Sequence, residues 1–249
     1  MINAQTELYC VIGNPVRHSL SPVMHNAAFR ALEINAVYLA FLVTDLPSAI
    51  AGIRGLAIRG VNVTIPHKLA IMELLDEIDP TARELGSVNT VLNQNGRLTG
   101  YNTDWIGALS ALKQATEVSG KKCILLGAGG AARAVAYGLI RAGAEVIIVN
   151  RTYRKAQELA RQMGCSSAPV SRVAELRADV LINATSVGME PRDEECPAPP
   201  QWLRPGMVVM DAVYAPPRTR LLQEAARCGC RTVEGLRWLV RQGAESFHI

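Results

Sequence analysis

The stretch that decides the fold of this chain is KCILLGAGGAA, residues 122–132. Its first five residues predict a short buried strand, and the alanine-rich run that continues to Arg141 predicts a helix. A G-x-G-x-x-A pattern between a strand and a helix is typical of a dinucleotide-binding turn, where glycine lets the backbone approach a pyrophosphate. The residues that we expect at this cofactor site are Gly127, Ala128, Gly129, Gly130 and Ala131.

The next predicted strand indicates which dinucleotide binds. Residues 145–149 are followed by Asn150, Arg151 and Thr152, with Arg154 and Lys155 close behind. A site for NAD usually has Asp or Glu about 20 residues past the glycine turn, whereas a neutral Asn among cations favours a 2′-phosphate. The pattern therefore predicts NADP, bound by Asn150, Arg151, Thr152 and Lys155. Arg154 and Lys155 also fit an ordinary solvated helix start, so Arg151 is the stronger evidence.

Composition narrows the class of protein. The 249 residues are 49% hydrophobic, enough for one large or two small domains. A net charge of +4 without a basic block suits anionic small molecules and argues against nucleic acid. The sequence has no apolar run of membrane-spanning length, no signal-peptide pattern and no C-x-x-C pair among its six cysteines. We expect a cytoplasmic protein away from membranes, and no metal, because the four histidines lack metal-ligand spacing.

Strand-like and helix-like patterns alternate along the whole chain, which predicts an α/β fold with mostly parallel sheets. Strands are predicted over 8–13, 37–43, 60–65, 87–92, 122–126, 145–149, 179–183 and 207–211, and helices over 21–32, 46–54, 69–75 and 104–112. A further helix is predicted after the glycine turn, through residue 141. Ser21 is expected to cap the first helix, with Pro22 in its first turn. Asn95–Gly96 predicts a hairpin turn.

The pattern divides the chain into two α/β domains. Residues 1–104, completed by 237–249, are expected to form a substrate-binding and catalytic domain with a mostly parallel sheet. Residues 105–236 are expected to form a Rossmann-type NADP-binding domain. In open α/β sheets ligands bind at the carboxyl ends of strands. Polar clusters at such positions in the first half are residues 19–21, 62–68, 87–90 and 100–104.

These clusters and the glycine turn together resemble the shikimate dehydrogenase family. The motifs that carry the resemblance are NPVRHSLSP (14–22), NVTIPHK (62–68), VNT (88–90), NTD (102–104), GAGGAA (127–132), NRT (150–152), NATSVGM (183–189) and GLRWLVRQ (235–242). They occur in order over nearly the whole chain. Each motif alone is modestly specific, but the ordered set is strong.

The resemblance implies that Lys68 and Asp104 are the catalytic pair. Lys68 would donate a proton to the substrate carbonyl oxygen as hydride arrives, and Asp104 would orient Lys68 and bind an adjacent hydroxyl. Outside the family context, Lys68 would be interpreted as a surface lysine at a helix start and Asp104 as a helix cap.

The resemblance also implies binding roles. Ser19 and Ser21 match positions that bind the substrate carboxylate, and Tyr214 matches a further group at that end. Thr64, Asn89 and Gln242 match residues that bind ring hydroxyls. Ala212 and Gly235 match backbone contacts near the nicotinamide.

The activity implied is the reversible NADPH-linked reduction of 3-dehydroshikimate to shikimate, a step towards chorismate and the aromatic amino acids, by a monomer or homodimer. Three alternatives remain open at this point. The first is a quinate/shikimate dehydrogenase that uses NAD, against which Asn150-Arg151-Thr152 argues. The second is a protein like methylenetetrahydrofolate dehydrogenase, against which the Ser19/Ser21 pair argues. The third is a non-catalytic NADP-binding sensor, which would need neither Lys68 nor Asp104.

Overall fold

A computed structural model describes residues 2–249 of the chain. They form two compact units: one runs to Thr103 and includes Gly243–Ile249, and the other is Asp104–Gln242. None of the helices within the described residues has the length and apolar character needed to span a bilayer.

The N-terminal unit contains a mixed six-stranded sheet. Its strands are β1 (Glu7–Gly13), β2 (Ala36–Leu42), β3 (Gly60–Val63), β4 (Glu77–Ile78), β5 (Thr90–Gln94) and β6 (Arg97–Tyr101). The order is β2-β1-β3-β5-β6-β4. β1 pairs in parallel with β2 and β3, and β4 with β6, whereas β5 is antiparallel to both of its neighbours. The predicted hairpin between β5 and β6 is confirmed, because Asn95 and Gly96 both have positive φ, as a tight two-residue turn requires.

The helices of this unit are α1 (Ser21–Ala31), α2 (Leu46–Gly55) and α3 (Pro80–Leu85). Ser21 is not the cap of α1, which is a correction: Leu20 occupies the cap position, with helical backbone angles and no side-chain cap. The helix predicted over 69–75 is a five-residue 3-10 segment, Ala70–Leu74, and the strand predicted from residue 87 begins only at Thr90.

Both faces of this sheet are buried, which explains the apolar run in β1. Cys10 and Ile12 belong to a cluster packed with Ile50 and Ile53 of α2. Val11 points to the opposite face and packs in a second cluster with residues of α1. Because successive side chains alternate between faces, a strand buried on both sides must be apolar throughout.

The C-terminal unit contains a six-stranded parallel sheet. Its strands are β7 (Lys122–Leu126), β8 (Glu145–Val149), β9 (Ser166–Ala168), β10 (Val180–Asn183), β11 (Val208–Asp211) and β12 (Arg231–Val233), in the order β12-β11-β10-β7-β8-β9. Its helices are α4 (Asp104–Lys113), α5 (Gly130–Arg141), α6 (Tyr153–Met163), α7 (Arg220–Arg227) and α8 (Gly235–His248), the last ending in the N-terminal unit. The strand order reverses between β7 and β10. Ligands bind outside the carboxyl ends of strands at such a switch point, so the predicted Rossmann-type arrangement is confirmed.

Candidate functional site

The glycine turn lies at the carboxyl end of the central strand β7. Gly127 has φ +119°, and a Cβ there would lie 3.0 Å from Ala184 O, so the position demands glycine. A Cβ on Gly129 would meet no heavy atom within 4 Å, which leaves open space beside the backbone. Gly130 begins α5, whose first N–H groups have no partner within the helix. The turn therefore fits a pyrophosphate group.

The residues predicted to select NADP follow β8 directly. Asn150 is half-buried, and its Nδ2 donates to Thr152 O at 3.0 Å, which closes a turn before α6. Arg151, Thr152 and Lys155 are exposed. No acidic residue occurs between Asn150 and Gln157. This strand end therefore offers donors and cations to an anionic group and suits a 2′-phosphate.

Two buried polar side chains, Asn183 and Asp211, are the last residues of the neighbouring strands β10 and β11. Asn183 Nδ2 donates to Asp211 Oδ1 at 2.8 Å. Asp211 also accepts from Val213 N at 3.0 Å and from Thr219 Oγ1 at 2.6 Å. Burial raises the pKa of Asp211 to about 6, although all three hydrogen bonds favour the ionised form. The sequence analysis assigned neither side chain a role. The available signal was a polar residue that ends an otherwise apolar strand.

The remaining predicted residues of the C-terminal unit lie after β11 and on α8. Gly235 begins α8 and packs against backbone: a Cβ there would lie 2.7 Å from Ala212 O and 2.5 Å from Val213 O. Tyr214 is half-buried. Gln242 Nε2 donates to Leu239 O at 2.9 Å, within the same helix. The structure thus brings Ala212 and Gly235 together.

In the N-terminal unit, Thr64 and Lys68 follow the end of β3. Thr64 N donates to Ile12 O at 2.9 Å, which continues the pairing with β1. Lys68 is half-buried in the next turn, and its carbonyl accepts a hydrogen bond from Val88 N at 2.9 Å. Thr64 therefore lies beside the end of β1, and Lys68 lies beside the segment that leads into β5.

Asn89 connects this segment to the end of β6. Its side chain is buried, with Oδ1 accepting from Thr103 N at 2.8 Å and Nδ2 donating to Thr103 Oγ1 at 3.0 Å. Its carbonyl accepts from Val63 N at 2.8 Å and from Asn62 Nδ2 at 3.3 Å. The structure therefore brings Thr64, Lys68 and Asn89 together at the end of the sheet where β3 finishes and β5 begins.

Ser19 and Ser21 lie in the turn between β1 and α1. Ser21 N donates to Ser19 Oγ at 3.3 Å, and Ser21 is buried. The Tyr38 hydroxyl donates to Asn62 Oδ1 at 2.6 Å. Burial and the neighbouring Cys10 raise the pKa of Tyr38 well above 10, while a hydrogen bond with Ser21 acts in the opposite direction. The Tyr38–Asn62 bond therefore connects β2 to β3 beside this turn. Tyr38 was missed by the sequence analysis, whereas Asn62 lay in the predicted polar cluster 62–68 without a role of its own.

Asp104 is the first residue of α4 and belongs to the C-terminal unit. It is 5% exposed, and its carbonyl accepts a hydrogen bond from Trp238 Nε1 at 2.9 Å. The backbone at the start of α4 is therefore held by α8, and Asp104 is buried there. Within residues 2–249, no group of three or more His, Cys, Asp or Glu side chains is arranged to hold a metal ion.

The fold and these positions define a class of protein. The C-terminal unit is a dinucleotide-binding α/β domain with a glycine turn at its switch point. The N-terminal unit gathers hydroxyl, amide and ammonium groups at one sheet edge, as a small polar ligand requires. The chain is therefore a two-domain dinucleotide-binding protein with a separate unit suited to a small polar substrate.

Comparison with known proteins identifies the family within this class. Residues 11–91 match the shikimate dehydrogenase substrate binding domain, and residues 110–190 match shikimate / quinate 5-dehydrogenase. The chain is 53% identical to shikimate dehydrogenase (NADP(+)) of Thermococcus kodakarensis over 255 residues, covering 100% of this chain and 92% of the relative. The chain belongs to the shikimate dehydrogenase (NADP+) family.

Solved structures agree with this assignment. A shikimate dehydrogenase in complex with NADP+ is 44% identical, with a TM-score of 0.95 over 99% of this chain and 90% of that one. Shikimate 5-dehydrogenase from Thermus thermophilus, in complex with NADP(H) and shikimate, is 41% identical, with a TM-score of 0.91 over 98% of this chain and 92% of that one. The similarity therefore extends through both units.

Proposed function

We propose that the protein catalyses the reversible NADPH-linked reduction of 3-dehydroshikimate to shikimate, a step towards chorismate and the aromatic amino acids. The observation that carries this proposal is the 53% identity to an NADP-dependent shikimate dehydrogenase over the whole chain. The polar edge of the N-terminal sheet and the glycine turn of the C-terminal sheet supply the two kinds of site that the reaction needs.

The cofactor is NADP, whose reduced form, NADPH, would supply hydride to the substrate carbonyl carbon when bound. The open space beside Gly129 fits its pyrophosphate. The residues that would hold the nucleotide are Gly127, Ala128, Gly129, Gly130, Ala131, Asn150, Arg151, Thr152 and Lys155, with backbone contacts from Ala212 and Gly235. The run of donors and cations after β8, without a carboxylate, supports NADP over NAD.

Lys68 and Asp104 are the proposed acid–base pair. The Lys68 ammonium gives a proton to the carbonyl oxygen during reduction, so that the oxygen becomes a hydroxyl, and takes a proton back in the oxidation of shikimate. Asp104 orients the ammonium group and binds a neighbouring hydroxyl. The defined position of Asp104 at the start of α4 supports an orienting role.

The proposed substrate contacts divide by chemistry. Ser19, Ser21 and Tyr214 bind the carboxylate, and Thr64, Asn89 and Gln242 bind the ring hydroxyls. Buried polar groups discriminate well, because an analogue without the matching hydroxyl leaves them unpaired. The buried, cross-linked Asn89 supports this assignment.

We further propose that residues 1–104 with 237–249 act as the substrate domain and residues 105–236 as the NADP domain, which close on each other during turnover. The expected setting is the cytoplasm, where the six free cysteines stay reduced. We expect a monomer or homodimer that requires no metal and binds no nucleic acid.

The test is the absorbance change of NADPH in the purified protein, with shikimate or quinate as substrate and NADP+ or NAD+ as cofactor. We expect the largest kcat/KM for shikimate with NADP+. Lys68→Ala should lower turnover by about 100- to 10,000-fold while NADP+ still binds, and the exposed Lys113→Ala is the matched control. A preference for quinate and NAD+ would contradict the proposal, and full turnover in Lys68→Ala would remove that residue from the mechanism.

A further inference from the structure

Asn183 and Asp211 are fully buried at the ends of parallel neighbours, β10 and β11, and the proposed chemistry uses neither of them. A hydrogen-bonded polar pair in an apolar sheet is costly unless all of its groups are satisfied. Their partners therefore indicate what the pair does.

The amide of Asn183 holds the loop that follows β10. Its Oδ1 accepts from Thr185 N at 3.0 Å and from Thr185 Oγ1 at 2.6 Å, and its Nδ2 also donates to Val187 O at 3.2 Å. Thr185 Oγ1 in turn accepts from Val187 N at 3.2 Å. This folded loop forms the surface against which the glycine turn packs, because a Cβ on Gly127 would lie 3.0 Å from Ala184 O.

The carboxylate of Asp211 holds the loop that follows β11. Its bond from Val213 N fixes the backbone directly after the strand, and its bond from Thr219 Oγ1 ties that loop to the residue that caps α7. The Ala212 and Val213 carbonyls in turn form the surface on which Gly235 and the start of α8 pack.

We propose that Asn183 and Asp211 are a positioning pair that sets the backbone at the nicotinamide end of the NADP site. This inference rests on the proposed function. The hydrogen bond between them joins two loops into one continuous surface, which runs from Gly127 at the pyrophosphate turn to Gly235 at the start of α8. Hydride transfer is sensitive to small displacements of the donor carbon, whereas the adenine half of the nucleotide is held separately, at the end of β8.

The test distinguishes effects at the nicotinamide half of the cofactor from effects at the adenine half. In the full chain, Asp211→Ala and Asn183→Ala should lower kcat for shikimate oxidation by about tenfold or more. Both variants should also bind NADP+ more weakly in calorimetry. Their affinity for 2′-phospho-ADP-ribose, which lacks nicotinamide, should stay within about twofold of the unaltered protein. Asp211→Asn should restore most of the turnover, because its amide oxygen still accepts from Val213 N and its NH2 group can donate to Thr219 Oγ1.

Leu221→Ala is the control for general destabilisation, because Leu221 is fully buried in the core of the same unit and lies outside both loops. It should lower Tm and leave kcat unchanged. If an alanine variant does not fold, Thr185→Val removes the two hydrogen bonds of the Thr185 hydroxyl at a half-buried position and should show the same pattern.

Unchanged kcat in the folded variants would overturn the positioning role. So would equal loss of affinity for NADP+ and for 2′-phospho-ADP-ribose, or a loss of kcat matched by Leu221→Ala. No turnover in the unaltered protein would be a different result: it would overturn the proposed function, and this inference with it.

Discussion

His25 makes the stability of the N-terminal unit depend on pH. Its ring is 5% exposed and stacks on Tyr38, with ring centroids 4.4 Å apart. Among the described residues, its buried Nε2 has no hydrogen-bond partner. Burial lowers the pKa of His25 from 6.5 to about 4. The unfolded chain therefore accepts a proton under conditions in which the folded protein does not.

The gap between the two pKa values corresponds to about 3 kcal/mol. The pKa of His25 is lower in the folded state than in the unfolded chain. The loss of folding stability that this causes is therefore absent well above pH 6.5, grows as the pH falls towards 4, and then levels off. At about pH 4.5, His25 alone should reduce the free energy of unfolding by roughly 2.5 kcal/mol relative to neutral pH.

The measurement is urea denaturation of the unaltered protein and His25→Phe, which keeps an aromatic ring beside Tyr38 but cannot be protonated. The variant should gain roughly 2.5 kcal/mol over the unaltered protein between neutral pH and about pH 4.5. His18→Phe, at an exposed histidine, should show no such gain. Parallel pH dependence in both proteins, or an NMR titration that places the pKa of His25 near 6.5, would contradict this prediction.

Two further predictions concern the cofactor site. Arg151→Ala should lower kcat/KM with NADP+ by about tenfold or more, because that is the contribution of a charged hydrogen bond, and should leave NAD+ kinetics unchanged. An equal loss with both cofactors in steady-state assays would contradict a role at the 2′-phosphate. Gly235→Ala places a Cβ 2.5 Å from Val213 O, so it should lower both Tm and NADP+ affinity. Gly52→Ala, which meets nothing within 4 Å inside α2, should leave both intact or raise Tm slightly, and a Gly235→Ala protein indistinguishable from it would argue against the close packing.

Elements with strong local signals could be predicted from the sequence. The predicted strand β7 is confirmed at its predicted bounds, and the helix predicted after the glycine turn is confirmed and ends at Arg141 as expected. A strand buried on both faces and a turn that needs positive φ each restrict the residues that can occur. The Asn95–Gly96 hairpin is of the same kind, since few other dipeptides adopt its backbone angles.

Errors occurred where tertiary contacts replace a local preference. The Ser-Pro pair predicted a cap at Ser21, but Leu20 already has helical backbone angles, and the Ser21 N–H donates to Ser19 Oγ. Residues 87–89 look like the start of β5. The Val88 N–H bonds outside the sheet, however: it donates to the carbonyl of Lys68, in the turn after β3. Such partners are distant in sequence, so no local pattern reveals them.

In the candidate site, too, individual residues could be predicted from the sequence, but the contacts between them could not. Sequence motifs named Lys68 and Asn89 individually, but not the bonds that connect their segments across the sheet edge. Asn183 and Asp211 were visible as the last residues of predicted strands, and Asn183 also as the start of the motif at 183–189, but neither was given a role. A pattern of residue types places a side chain at the end of an element, whereas its partner depends on strand order, which brings β10 beside β11.

In both sheets a buried asparagine amide holds a loop at the candidate ligand site. A loop at the carboxyl end of a strand must stay fixed if it is to present groups to a ligand, yet its own N–H groups lie beyond the ladder of the sheet. In the N-terminal unit the buried Asn89 amide accepts from Thr103 N, and in the C-terminal unit Asn183 accepts from Thr185 N. A buried amide satisfies a loop N–H with one oxygen and still has donors for a second segment. A buried asparagine at either end of a strand can therefore hold a ligand loop in place, and disruption of either amide should affect binding before it affects the fold.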